Sequence, residues 1–422
     1  MTPAKLPPPR RGLAKNRAVR DPVGGIVRFN ERREEERLGL KYRQMRGSPF
    51  AFFRGSSHLF WEDLVRDGEM PAAPAVWACG DLHLENFGSF RGDNGLVYFD
   101  LNDFDEAALA PATWEIARFV TSVFVAGSSL RLENTETTEL ANIFLSSYRT
   151  ALIDGKARWV ERTTAKGMVR TLLRQVKRRT SEILLASKTE VHDGQRRILI
   201  DGRRALSATD EQRKLLKAWA RHFAASQPNP KFFRVLDAAR RVAGMGSLGT
   251  QRFVLLVRGT GSPEGNVLLD AKEGRPSSLA SFSPLAQPMW SDDATRAVMI
   301  QRRMQAIAPA FLRAVKMGRT SFIVRELQPS EDRLMLSRAR GHSHRLRSVM
   351  QTMGHATAWA QLRSAGRDGS ANADALIAFG RSTGWRRALV AYGRQYSRIV
   401  ERDYRSFVVA HEDGGLAGSG GR

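Results

Sequence analysis

The sequence predicts an α+β, bilobal fold with a large, mostly helical lobe and a smaller β-rich lobe. Three observations carry that expectation. An apolar run leads into a dense acidic segment, Val97-Tyr98-Phe99-Asp100-Leu101-Asn102-Asp103-Phe104-Asp105-Glu106. It follows Gly80-Asp81-Leu82-His83-Leu84-Glu85-Asn86-Phe87 and a turn signal at Gly92-Asp93-Asn94-Gly95. Residues 235–340 read as strand, strand, helix, strand, strand, whereas most of the remainder carries the three-and-four spacing of helices. At 422 residues the chain can bury a substantial core and divide into lobes.

Composition sets the outer bounds. Hydrophobic residues form 42% and charged residues 26% of the chain, the balance of a soluble globular protein. No apolar run is long enough to span a bilayer. Residues 1–21 are Pro-rich and basic, with no apolar segment of the kind a secretory signal needs, and read as a disordered arm. The one cysteine, Cys79, rules out an internal disulfide and fits a reducing, cytoplasmic setting. A net charge of +24 favours anionic partners, among them nucleotides, phosphorylated substrates and nucleic acid. Much of the excess is arginine, which a GC-rich genome also produces, so charge alone does not make nucleic acid the favoured partner.

Taken in order, residues 22–234 read as a helical catalytic lobe. Arg28 to Arg46 is an exposed helix, and the aromatic stretch Ser48 to Gly55 reads either as a core-anchoring turn or as a segment whose Arg54 reaches a phosphate or the acidic loop. A helix from His58 to Asp67 leads to a strand, Ala75 to Cys79. After the acidic segment a helix starts at Pro111, with proline in its first turn. Leu130 to Thr180 is helical throughout, Ser187 to Ala208 is polar with a short strand at Arg197 to Ile200, and Gln212 to Ala225 is a helix.

Residues 235–340 read as the small lobe. Val235 to Val242 leads into Gly244-Met245-Gly246-Ser247-Leu248-Gly249, then strands over 250–257 and 266–273, the second ending near Lys272. A G-x-G-x-x-G followed by a strand argues against a dinucleotide fold, which needs a helix there to receive the pyrophosphate. A helix over Thr295 to Val315 and strands at Ser321 to Leu327 and Arg333 to Leu336 complete this unit. Residues 341–410 return as helices of the large lobe, with His355 a packing residue, and 411–422 form a Gly-rich, disordered tail.

The acidic segment admits several readings. Asp-rich stretches after strands form Asx turns. A calcium loop is disfavoured because Phe104 stands where an oxygen ligand is required. A hydrolytic metal site would use His83, Glu85 and the aspartates. However, Asn86 lies five residues after Asp81 and Asp100 nineteen after it, a spacing that resembles the core of the protein-kinase and aminoglycoside-phosphotransferase superfamily. That resemblance implies that Asp81 positions or deprotonates an acceptor hydroxyl, and that Asn86 and Asp100 bind magnesium. Asp103, in an Asp-Phe pair, competes with Asp100, and Asp105 serves as a further ligand. It also implies that Gly244, Gly246, Ser247 and Gly249 form a flap over ATP phosphates gripped by Lys272. Glu115 would tie down the metal loop, and His83 would brace rather than react. One departure stands out: the helix after Lys272 has no Glu to pair with it, leaving Gln301, Gln305 or a different partner.

These motifs occur out of the usual order, so the kinase-like fold would be circularly permuted. Together with Phe53-Arg54-Gly55 and Ala271-Lys272-Glu273, they resemble a bacterial family catalogued as domain-of-unknown-function family 2252. That resemblance implies the fold and a nucleotide site and leaves the reaction open; the first expectation is an ATP- and Mg2+-dependent phosphotransferase acting on a small-molecule hydroxyl. Nucleotidyl transfer on the same fold, with the nucleotide reversed, is the alternative. A catalytically silent or nucleic-acid-binding protein is the third reading.

Overall fold

The structure is a computed structural model, and it describes residues 20–67, 70–225, 227–244, 246, 248–329 and 332–416. Most of the expected arm (1–21), residues 417–422 of the expected tail (411–422) and Ser247 of the glycine loop lie outside the described residues, and the last helix runs into that tail as far as Glu412. The architecture is α+β, with a helical part and an antiparallel sheet of six strands.

The helical part is organised around Ala112–Ala126, in which all fifteen residues are buried. A helix shielded on every side belongs at the centre of a bundle. Trp385–Glu412 and Asn134–Asp154 pack against it, and Ser343–Arg363 lies along Asn134–Asp154. Phe119 stacks on Phe144 with ring centroids 3.8 Å apart. One buried polar chain inside this core is paired throughout, as burial favours. Tyr148 Oη donates to Gln361 Oε1 at 2.5 Å, and Gln361 Nε2 donates to Glu115 Oε2 at 3.0 Å.

Several helical expectations need correction at their boundaries. The stretch 28–46 is two helices, Pro22–Asn30 and Glu35–Met45, parted at Arg33. Pro49–Gly55 is a helix rather than a turn, capped by Ser48 Oγ, which accepts from Ala51 N at 3.1 Å. The run 130–180 breaks after Asp154, where Gly155 (φ 65°) takes the left-handed cap. The last stretch divides into Ala373–Arg381 and Trp385–Glu412.

The large sheet runs, strand by strand, Arg313–Met317, Thr320–Glu326, Val267–Glu273, Arg252–Val257, Val235–Arg241 and Ala205–Ser207. Residues 313–315, expected as a helix end, belong to the edge strand Arg313–Met317, because the helix Asp293–Met304 stops before Pro309. They pair with Thr320–Glu326 in place of 333–336. Asp332–Arg333 instead joins the hairpin Phe87–Arg91/Val97–Leu101.

Alternation along the strands sorts the sheet's two faces. Phe253, Leu255, Leu269 and Ala271 pack with Leu216 and Trp219 of the helix Asp210–Ala225. That helix and strand Ala205–Ser207 therefore belong with the sheet, and the boundary read at residue 234 falls inside this smaller unit. Val254, Leu256 and Leu268 share the opposite face with Leu185 and Ile198. Arg252, Asp270 and Lys272 alternate onto that same face.

Candidate active site

The loop after strand Ala75–Ala78 is fixed by its surroundings. Gly80 has φ +84°, and a Cβ there would lie 1.8 Å from the Glu106 carbonyl oxygen, so only glycine fits. Gly80→Ala is expected to lower stability by about 3 kcal/mol or more; an unchanged urea midpoint would show that the loop yields. Glu115 Oε1 accepts from Cys79 N at 2.5 Å and Gly80 N at 3.4 Å. Glu115 thus ties down the loop that carries Asp81, where the resemblance implied the metal loop. Burial pushes its carboxyl above the usual range.

Asp81 Oδ1 accepts from Arg118 Nε at 2.7 Å, and a second guanidinium nitrogen makes a closer ion pair. Arg118 is fully buried, with its guanidinium carbon 4.2 Å from the Phe53 ring centroid. Burial raises the Asp81 pKa, Arg118 opposes this, and the charge of Asp103 adds to it. A carboxylate shifted upward and still 21% exposed suits proton acceptance. His83 Nδ1 accepts from Glu85 N at 3.0 Å. Burial, followed by the positive charges of Arg54, Arg118 and Arg333, pushes its pKa well down. His83 is a neutral brace of the loop. Arg54 ion-pairs with Glu85, so the aromatic helix does reach the acidic loop.

Asn86 is 2% exposed and stitches the two acidic segments together. Its Nδ2 donates to the Asp81 carbonyl at 2.9 Å, and its Oδ1 accepts from Asp103 N at 2.9 Å and Asn102 N at 3.3 Å. Both lone pairs of that oxygen are therefore engaged. Asp100 stands apart from the expected metal group. It is buried within strand Val97–Leu101, and Arg363 Nη2 lies 3.0 Å from its Oδ2. Burial raises its pKa and Arg363 opposes the shift.

Lys272 joins the other two aspartates. Its Nζ is 3.7 Å from Asp103 Oδ1 and makes a close ion pair with Asp105. Burial pushes Asp103 up, but Lys272 and Arg333 outweigh it and leave the carboxyl below its ordinary value. Asp105 is raised, first by burial and then by the charge of Asp103. The partner of Lys272 thus comes from the acidic loop, not from the following helix. That helix contributes a cation instead: Arg296 Nη2 donates to the Asp105 carbonyl at 2.8 Å and to the Arg275 carbonyl at 2.7 Å. Gln305 Nε2 donates to the Leu101 carbonyl at 2.6 Å, and Gln301 lines the adjacent cleft.

The cleft has a volume of about 560 Å³, within the range of small-molecule sites. Asn102, Asp103, Asp105, Gly244 and Lys272 are among its lining residues; Asp100 and Asp81 are not. Asn102 Oδ1 is buried with no hydrogen-bond partner among the described residues. Gly246 and Gly249 lean on the start of the chain: Arg33 Nη1 donates to the Gly246 carbonyl at 2.8 Å and the Leu248 carbonyl at 2.7 Å, and Glu34 N donates to the Gly249 carbonyl at 2.9 Å. Burial, then the charge of Arg275, lowers the Arg33 pKa to about 10.

Deeper in the cleft, Asp270 is gripped by arginines from neighbouring strands. Arg252 forks onto it at 2.9 and 2.6 Å, and Arg241 Nη1 lies at 2.6 Å. Arg325 Nε is 4.0 Å away. Asp270 is two residues before Lys272 and so faces the same side. Burial would raise its pKa, but the guanidinium groups hold it far below the carboxylate range.

The fold and site define an α+β protein in which an acidic loop from the helical part meets a lysine from the sheet across one cleft. Residues 33–410 match the sequence model of a family described as an uncharacterized protein conserved in bacteria, DUF2252, and the chain belongs to that family. No curated protein and no solved structure matches it. No helix among the described residues is long and apolar enough to cross a membrane.

Proposed function

We propose that this chain is an ATP- and magnesium-dependent phosphotransferase with a circularly permuted, protein-kinase-like fold, acting on a small-molecule hydroxyl. The observation that carries the reading is Lys272 of the sheet ion-paired across the cleft with Asp103 and Asp105. The element order supports it too: strand, glycine loop, strand, lysine strand, two helices and two further strands follow one another over 235–326, after a catalytic loop near residue 81.

The donor set suits the metal. Among the described residues no group of three or more His, Cys, Asp and Glu is arranged around one point. Magnesium needs only one or two carboxylates beside phosphate and water oxygens. Asp103 and Asp105 would hold it, with the orphaned Asn102 Oδ1 as a third hard oxygen. When bound, magnesium neutralises charge on the phosphate oxygens. Lys272 would grip phosphate oxygens, and the glycine loop anchored by Arg33 would cover them. Asp81 would accept the acceptor's hydroxyl proton as its oxygen bonds to the γ-phosphorus and the bond to the β-phosphate oxygen breaks, releasing ADP.

The test is thermal stability with ATP, with and without Mg2+. At about a hundred times its dissociation constant the ligand should stabilise the protein by roughly 2.7 kcal/mol. Lys272→Ala should abolish that shift, whereas a full shift in the variant would refute the assignment.

A second reading, nucleotidyl transfer, is favoured by the Asp270 cluster. On the kinase-like reading, the adenine would lie beside strand Thr320–Glu326, where Arg241, Arg252 and Arg325 surround Asp270. Guanidinium groups suit phosphates, whereas an aromatic base suits apolar walls. A reversed nucleotide would place its terminal phosphates there, the acceptor oxygen would attack the α-phosphorus, and pyrophosphate would leave. Product mass separates the two reactions.

A further inference from the structure

A second feature lies outside the cleft. Two adjoining cavities, of about 550 and 500 Å³, run along one face of the helix Ser343–Arg363. Ser348 lines both, and Arg179 and Arg333 line the first as well as the cleft, so the three follow one another along the surface as a groove. His344, Ser348, Thr352, His355 and Trp359 lie along it at helical spacing. From His344 to Trp359 the helix rises about 22 Å, at 1.5 Å per residue.

The chemistry of this groove is cationic and aromatic together. Arg338 and Arg345 line the first cavity, and Arg158 and Lys166 the second. The acidic lining residues are Asp332 and Glu161, and Asp332 is held by Arg179 at 2.6 Å. Trp159 is 53% exposed at the second cavity. Beside it, Trp359 stacks on His355 with centroids 5.3 Å apart. The His355 pKa is lowered by burial and then by Arg158 and Lys166, which records the positive field at this end.

We propose that the groove binds single-stranded nucleic acid, with phosphates on Arg338, Arg345 and Lys166 and bases stacked on Trp159 and Trp359. Cations along the groove, with the exposed Trp159 and the half-buried Trp359 at one end, match a strand whose bases are free to stack. A duplex hides those faces, and an acidic peptide has no use for them. The assignment does not rest on phosphotransfer, because binding is measured without ATP or Mg2+.

The experiment is fluorescence anisotropy of the full chain with a labelled twelve-nucleotide uridine oligomer over a salt series. Binding should weaken steeply with salt. Trp159→Ala should weaken it about 5- to 150-fold, the range for losing one stacked base, with an unchanged salt slope. Arg338→Ala/Arg345→Ala should flatten the log–log slope by about 0.7 per lost contact. All three side chains are exposed, so these variants keep the fold. Lys214→Ala/Lys217→Ala, exposed on the helix Asp210–Ala225, should leave the slope unchanged. The proposal fails if the oligomer does not bind, if Trp159→Ala binds as wild type, or if the Lys214/Lys217 pair flattens the slope equally.

Discussion

Asp270→Ala is expected to lower stability by about 3–5 kcal/mol at neutral pH, because it strips the shared carboxylate from guanidinium groups held inside the sheet. Arg252 and Arg241 both lie within 2.9 Å of that carboxylate, which is 2% exposed. The pH dependence has a definite sign. The folded-state pKa of Asp270 is depressed, so its contribution is present above the ordinary value of 3.8 and is lost as the pH falls below it. The gap between the urea midpoints of wild type and variant should therefore be constant from pH 6 to 8 and close in strong acid. Equal midpoints at pH 7 would show that the cluster is solvated and dispensable.

The second large effect separates two aspartates three residues apart. Asp100→Ala leaves Arg363 without its buried partner and should also lose about 3–5 kcal/mol, while the remaining folded protein keeps its ATP–Mg2+ shift. Asp103 is 44% exposed, and its ion pair with Lys272 spans 3.7 Å, so Asp103→Ala should change stability by less than about 1 kcal/mol and remove the nucleotide shift. Differential scanning fluorimetry of both variants reads both quantities. The reverse pattern would return the metal to Asp100.

What was legible in the sequence was local. The hairpin announced itself through the apolar run Val97-Tyr98-Phe99 and the turn signal Gly92-Asp93-Asn94-Gly95, and the strand carrying Lys272 through Val267-Leu268-Leu269. Gly155 and Pro309 carried boundary signals that the apolar spacing around them masked. Residues 205–225 were misplaced because a helix amphipathic in sequence does not say which surface covers its apolar face; Leu216 and Trp219 happen to meet the sheet. The partners of the site were illegible for a different reason. Arg33, Arg118, Arg241 and Arg296 are single arginines in a chain with 67 Lys and Arg residues. Only the register of the sheet and the packing of helices bring them to Gly246, Asp81, Asp270 and the Asp105 carbonyl. Asp100 and Asp103 look alike in sequence, but the strand runs to Leu101 and carries Asp100 into the interior.

The pairing of Lys272 with Asp103 and Asp105 also orders events at the ribosome. The lysine is made 167 residues after Asp105, a delay of roughly 8–33 s at about 5–20 residues per second. During that time two neighbouring carboxylates repel each other while Asn86, made earlier, can already hold the backbone of Asp103. The acidic loop therefore closes only after the sheet is made, and the helices Ser343–Arg363 and Trp385–Glu412 that complete the helical part come later still, so assembly across long sequence separations is slow. Synthesis halted before residue 272 should leave that loop open and readily cut by protease, whereas the finished chain should protect it.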